Sequence, residues 1–150
     1  MPTPQHRLGQ KTLDKINSQA GARIMALLKD ISPDMVRFIY EFPYGSIYSR
    51  PGLNLKTREL VTIASLTTLG YAKNELRAHV GNALNTGCTK EEIIEVILQM
   101  SVYAGFPASL NALFVAEEVF TNRGLIKKDT ERNGQSPRVS RKRISKKKPS

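Results

Sequence analysis

A glutamate and a histidine four residues apart, Glu75 and His79, stand in "NELRAHVGNALNTGCTKEE", the stretch from Asn74 to Glu92. On a helix, residues at i and i+4 lie one above the other, so the two side chains share a face. Leu76, Val80, Ala83 and Leu84 form an apolar arc on the same segment. At about 100° per residue, His79 falls on the edge of that arc and Glu75 lies farther round. Partial desolvation and a carboxylate in reach pull an imidazole's proton affinity in opposite directions. A general acid or base working near neutral pH is built from that combination. The same spacing also occurs as a plain contact on solvated helix faces. Metal chemistry is not expected, because one His and one Glu leave a zinc site two ligands short and the other histidine, His6, belongs to the N-terminal stretch. Cys88 sits at a helix start, where the dipole favours a thiolate. It is the single cysteine of the chain, and an incidental turn cysteine is the simpler reading. No G-x-S-x-G, Walker A or G-x-G-x-x-G is present.

The elements that must position these residues read as helices throughout. "LDKINSQAGARIMALLKDI" places Leu13, Ile16, Ala20, Ile24, Leu27 and Leu28 at three- and four-residue steps, which predicts one amphipathic helix. "SPDMVRFIYEF" opens with Ser32 as N-cap and Pro33 at the first helical position. "PYGSIYSRPGLNL" is rich in Pro and Gly and predicts a loop or a short helix. "KTRELVTIASLTTLG" is nearly all apolar after Glu59, so a buried helix stopping at Gly70 is expected. "AKNELRAHVGNALNTG" is amphipathic and ends at Gly87, and Thr89 with Glu92 forms a capping box that starts the next helix. "FPASLNALFVAEEVFTNRG" is the last helix, with Pro107 in its first turn. The β-branched runs Val61–Ile63 and Ile93–Ile97 suggest strands only locally, because caps and segment lengths argue for helix. The expected fold is all-α, a bundle of about six helices.

Charge divides the chain in two. Residues 1–126 hold 13 Lys and Arg against 11 Asp and Glu, whereas residues 127–150 hold 10 against 2. The net charge of +10 therefore belongs mostly to the tail "KKDTERNGQSPRVSRKRISKKKPS", whose apolar residues are Val139 and Ile144. Such a segment cannot bury enough surface to offset its ordering entropy, so disorder is expected there and a single domain over 1–126. A polybasic arm has partners of opposite charge: nucleic acid, anionic lipid or a targeting receptor. The 150 residues contain no apolar run long enough to span a bilayer. The N-terminal "MPTPQHRLGQK" lacks the apolar stretch of a secretory signal. A lone cysteine fits a reducing compartment, and a cytoplasmic location is the expectation.

From Tyr48 to Val119 the chain resembles the carboxymuconolactone decarboxylase family. The shared features are R-P-G-L at Arg50–Leu53, E-L-R-x-H at Glu75–His79, A-L-N-x-G-x-T-x-E-E-I at Ala83–Ile93, and Y-x-G-x-P-A-x-x-N-A at Tyr103–Ala112. The resemblance implies an alkylhydroperoxidase D-like all-α fold assembled as trimers or hexamers. It also implies one of two activities. The peroxidase branch uses a C-x-x-C, whose cysteines would fall at Ala72 and Glu75 here. A thiol–disulfide cycle needs both an attacking and a resolving thiol, so that branch is not expected. The decarboxylase branch implies a cofactor-free carboxy-lyase of aromatic breakdown, acting on 4-carboxymuconolactone or a related small anionic lactone. In that reading His79 delivers a proton and Glu75 orients it. Arg50 and Arg58 hold carboxylates, and Tyr103 and Asn111 line the pocket as neutral donors. Arg58 can alternatively pair with its neighbour Glu59, and Tyr103 can be a core tyrosine. Tyr48 departs from the subgroup, which tends to carry tryptophan there. The alternative is a member that keeps the fold but has altered or lost chemistry, and serves as an oligomeric binding protein with a polyanion-binding or targeting tail.

Overall fold

The computed structural model describes residues 1–127. Among these there is no strand, and the helices are α1 (Pro4–Asn17), α2 (Ala20–Leu28), α3 (Pro33–Ile39), a π-helix (Tyr40–Tyr48), α4 (Leu55–Leu69), α5 (Lys73–Asn85), α6 (Lys90–Ala104) and α7 (Phe106–Asn122). The all-α expectation holds, with more helices than the six expected. The segment read as one N-terminal helix is two, broken at Ser18–Gln19. The Pro- and Gly-rich stretch before α4 is partly π-helical. The tail falls outside the described residues, apart from Lys127.

Local chemistry sets the boundaries. Ser32 Oγ accepts from Met35 N at 3.4 Å with Pro33 following. Asn54 Oδ1 accepts from Thr57 N at 2.8 Å to start α4. That helix ends on Gly70, whose φ of 75° is the left-handed cap that glycine adopts without a Cβ clash. The predicted capping box is complete: Thr89 Oγ1 accepts from Glu92 N at 3.1 Å, and Glu92 Oε2 accepts from Thr89 N at 2.8 Å.

Two apolar clusters hold the fold. The larger joins α4 to α7 through Ile63, Leu76, Val80, Ile93, Ile97, Val115 and Phe120. The smaller joins α1, α3 and the π-helix through Leu13, Ile16, Val36, Tyr40 and Tyr44. Helices α4 and α6 run in the same direction, since Lys56 pairs with Glu92 near their starts and Thr68 reaches Met100 toward their ends. Helix α5 returns antiparallel to α4, and α7 follows α5, tied by Arg77–Glu118 and Arg123–Asn85. Helix α1 presses directly on the π-helix. A Cβ at Gly9 would run into the Tyr40 carbonyl, and one at Gly45 into the Gln5 carbonyl. Backbone on backbone at that distance admits only glycine. The contact fixes the π-helix against α1, and the Tyr48–Thr62 bond ties its far end to α4.

Candidate active site

The buried stripe of α4 is Glu59, Ile63 and Thr67, four residues apart. A carboxylate thus occupies the first position of a core-facing stripe, and Glu59 is fully buried. Antiparallel α5 brings His79 opposite. His79 Nδ1 and Glu59 Oε2 lie 2.7 Å apart, with 19% of the histidine side chain exposed. A carboxylate accepts, so Nδ1 carries the hydrogen and Nε2 is left for a ligand. Glu59 Oε1 is buried without a partner. Leaving a buried acceptor unpaired costs about 1–3 kcal/mol, so this oxygen is a candidate to receive a ligand's proton or a water.

The π-helix supplies the facing wall. Tyr44 and Tyr48 pack as a tilted pair, with ring centroids 5.3 Å apart and planes at 57°. The Tyr48 hydroxyl lies 2.6 Å from Thr62 Oγ1, one turn along α4 from Glu59. Burial, reinforced by the Glu59 carboxylate, pushes the Tyr44 phenol far above its ordinary range. The same two causes push Tyr48 up to about 12, against the opposing pull of the Thr62 bond and Arg58. Both phenols keep their protons at physiological pH. The Arg58 guanidinium lies 6.0 Å from the Tyr48 ring centroid, and its Nη2 donates to the Arg50 carbonyl at 3.0 Å. π-helical segments recur at functional sites, and this one brings two phenols within electrostatic reach of the Glu59 carboxylate.

The residues expected from sequence divide between the two ends of α4. His79 is at the centre, and Arg58 flanks the tyrosine pair with the exposed Arg50 joined through its carbonyl. Glu75 is exposed in the first turn of α5, and the carboxylate on the imidazole is Glu59 instead. Arg58 does not pair with Glu59. Tyr103 is 74% exposed at the end of α6, so it is not a core tyrosine. Asn111 is exposed beside a small crevice lined by Thr67, Gly70, Lys73 and Leu76. That crevice lies about 12 Å along α4 from Glu59, at 1.5 Å per residue. Sequence reasoning missed Glu59, Tyr44 and Thr62. The available signal was the phase of Glu59 with Ile63 and Thr67, but α4 is apolar nearly all round and its inward face cannot be chosen from pattern alone.

Cys88 is buried in the turn before α6, its Sγ 3.7 Å from the Lys56 carbonyl. Burial, then the Glu92 charge, pushes its thiol up, with Lys56 opposing. This is the reverse of a reactive thiolate's setting. Among the described residues no cluster of three or more metal-ligating side chains occurs, and no helix is long and apolar enough to cross a membrane.

Comparison with known proteins bears on the same segment. The carboxymuconolactone decarboxylase family matches residues 33–118. The chain is 48% identical over 103 residues to a 4-carboxymuconolactone decarboxylase of Acinetobacter baylyi, covering 69% of this chain and 76% of that protein. It is 39% identical over 97 residues to an uncharacterized 15.0 kDa protein of Paracoccus denitrificans, covering 64% and 72%. A nitrosuccinic acid decarboxylase of Metarhizium robertsii is 35% identical over 85 residues, covering 56% and 58%.

Proposed function

Because the chain belongs to the carboxymuconolactone decarboxylase family, we propose that it is a cofactor-independent carboxy-lyase acting on 4-carboxymuconolactone or a related anionic lactone. The observation that carries this reading is the buried Glu59 on His79 Nδ1. Two relatives named as decarboxylases of different acids support the reaction type more firmly than the substrate.

The chemistry follows from where electrons and protons must go. The C–C bond to the leaving carboxylate breaks, CO2 departs, and its electron pair spreads into the conjugated lactone as a dienolate. In its doubly protonated form His79 gives the Nε2 proton to carbon, forming the new C–H bond, and a proton taken up from solvent returns the imidazole to its cation. Glu59 accepts from Nδ1–H throughout, fixing the ring and offsetting the imidazolium charge. Arg58, with Arg50 beside it, suits a substrate carboxylate, because a guanidinium fork bonds both oxygens. Tyr44 serves as a neutral donor toward the lactone oxygen. Glu75 is left as a charge on the first turn of α5, where the helix dipole favours it.

Assembly completes this account. Val61, Leu98, Val102, Tyr103, Phe106 and Leu110 are all exposed, more apolar surface than a monomer of this size usually leaves in water. A trimer or hexamer would cover it. Tyr103 and Asn111 act as neutral donors only where one copy's α6–α7 end meets the His79 end of another. The action is cytoplasmic, as the single thiol suggests. The tail, residues 127–150, contacts polyanions or a targeting receptor. The test of the enzymatic reading is the absorbance change of 4-carboxymuconolactone with the purified full chain. Turnover is expected in wild type and absent, at unchanged circular dichroism, in His79→Gln. Equal turnover in both would remove His79 from the mechanism.

A further inference from the structure

Arg58 and Thr62 are four residues apart on α4 and so share one face. The Tyr48 ring lies along that face. Its hydroxyl is 2.6 Å from Thr62 Oγ1, and the Arg58 Cζ is 6.0 Å from its centroid, at the limit of cation–π attraction. Tyr44 packs against the ring at 57°. Arg58 is held at one point more, by the Nη2 bond to the Arg50 carbonyl. Its Nε is buried without a partner, and no ion pair among the described residues uses its charge. A guanidinium fixed in direction with its charge unspent is an anion anchor made ready in advance, which strengthens binding by reducing the ordering needed when the ligand arrives.

We propose that Tyr48 is a positioning residue: tethered by Thr62 and backed by Tyr44, its ring holds the Arg58 guanidinium as the anchor for a ligand carboxylate beside the Glu59–His79 pair. The ligand class rests on the decarboxylase reading, but the Tyr48–Arg58 coupling is measurable without turnover.

The experiment is a double-mutant cycle by titration calorimetry, with muconate, an acyclic conjugated dicarboxylate, as the probe on the full chain. Wild type is expected to bind saturably. Tyr48→Leu and Arg58→Ala should each weaken binding by roughly tenfold, the scale of a partly desolvated cation–π contact. The double variant should be no weaker than Arg58→Ala alone, because Tyr48 acts through Arg58. Thr62→Val, which removes only the tether, should weaken binding about threefold in the wild-type background and not at all in Arg58→Ala. This arm decides the matter if Tyr48→Leu does not fold. Absence of saturable binding by wild type, losses that multiply in the double variant, or Thr62→Val acting equally in both backgrounds would overturn the proposal. A coupled cycle in a chain that releases no CO2 would retain the anchor and reject the decarboxylase.

Discussion

Glu59 and His79 bear on stability as well as on activity. Truncating His79 strands a fully buried carboxylate, and breaking a buried pair costs about 3–5 kcal/mol when both groups are buried. His79 is partly exposed, so a loss of roughly 1–3 kcal/mol is expected for His79→Ala, read as a lower urea midpoint. His79→Gln keeps an N–H donor for Glu59 and should recover part of that stability without recovering catalysis. The tyrosines give a pH signature. Tyr48 is pushed up to about 12 in the folded chain, above its unfolded value near 10. Above pH 10 the unfolded chain sheds phenolic protons that the folded chain retains, so stability is full below pH 10 and falls as pH rises toward 12. Alkaline denaturation should reveal this slope, and Tyr48→Phe should reduce it, leaving the part that Tyr44 contributes. His79 was legible in the sequence because its motif is contiguous. Its partner was not, because Glu59 is 20 residues away and only the packing of α4 on α5 brings it near. The nearer carboxylate, Glu75, satisfied the spacing rule and faces water.

Helix boundaries written in single residues were legible: the Thr89–Glu92 box, Ser32–Pro33 and Gly70 all act where their chemistry says they should. Two features were not. Ile16, Ala20 and Ile24 stay in helical phase across the break at Ser18–Gln19, so periodicity saw one helix where there are two. The π-helix was hidden because Pro43 and Gly45 read as loop formers. What makes it helical is α1 pressing on it through glycine, a tertiary effect absent from any local window. Gly45→Ala forces a Cβ into the Gln5 carbonyl. A destabilisation of about 1–3 kcal/mol is expected, the range for overpacking. Activity should fall further than stability requires, because Tyr44 and Tyr48 shift with the π-helix. Thermal melting beside steady-state rates checks both parts, and a stable variant with unchanged rates would uncouple the π-helix from the site.

At the scale of the whole molecule, the exposed apolar residues on α4, α6 and α7 and the basic C-terminal segment carry two separate proposals, assembly and polyanion binding. Light scattering at micromolar concentration should return the mass of a trimer or hexamer, and a monomeric mass would remove the assembly. The ten cationic side chains of residues 127–150 should give salt-sensitive binding to polyanions that a 1–125 truncation lacks. Cys88, buried and pushed away from thiolate, should be dispensable: Cys88→Ser leaves CO2 release intact, and the wild-type chain shows no thiol-dependent hydroperoxide reduction. The central claim is narrower than any of these. It is that the carboxylate working on His79 is Glu59, across the helix pair, and not Glu75 on the same helix. Initial rates of CO2 release from 4-carboxymuconolactone by Glu59→Gln and Glu75→Gln, both checked for fold and assembly, test it directly. Glu59→Gln should fall by roughly 10²–10⁴-fold, the scale of a positioned acid–base group, and Glu75→Gln should stay within about twofold, as for an exposed side chain. A large loss in Glu75→Gln with Glu59→Gln near wild type would contradict the account.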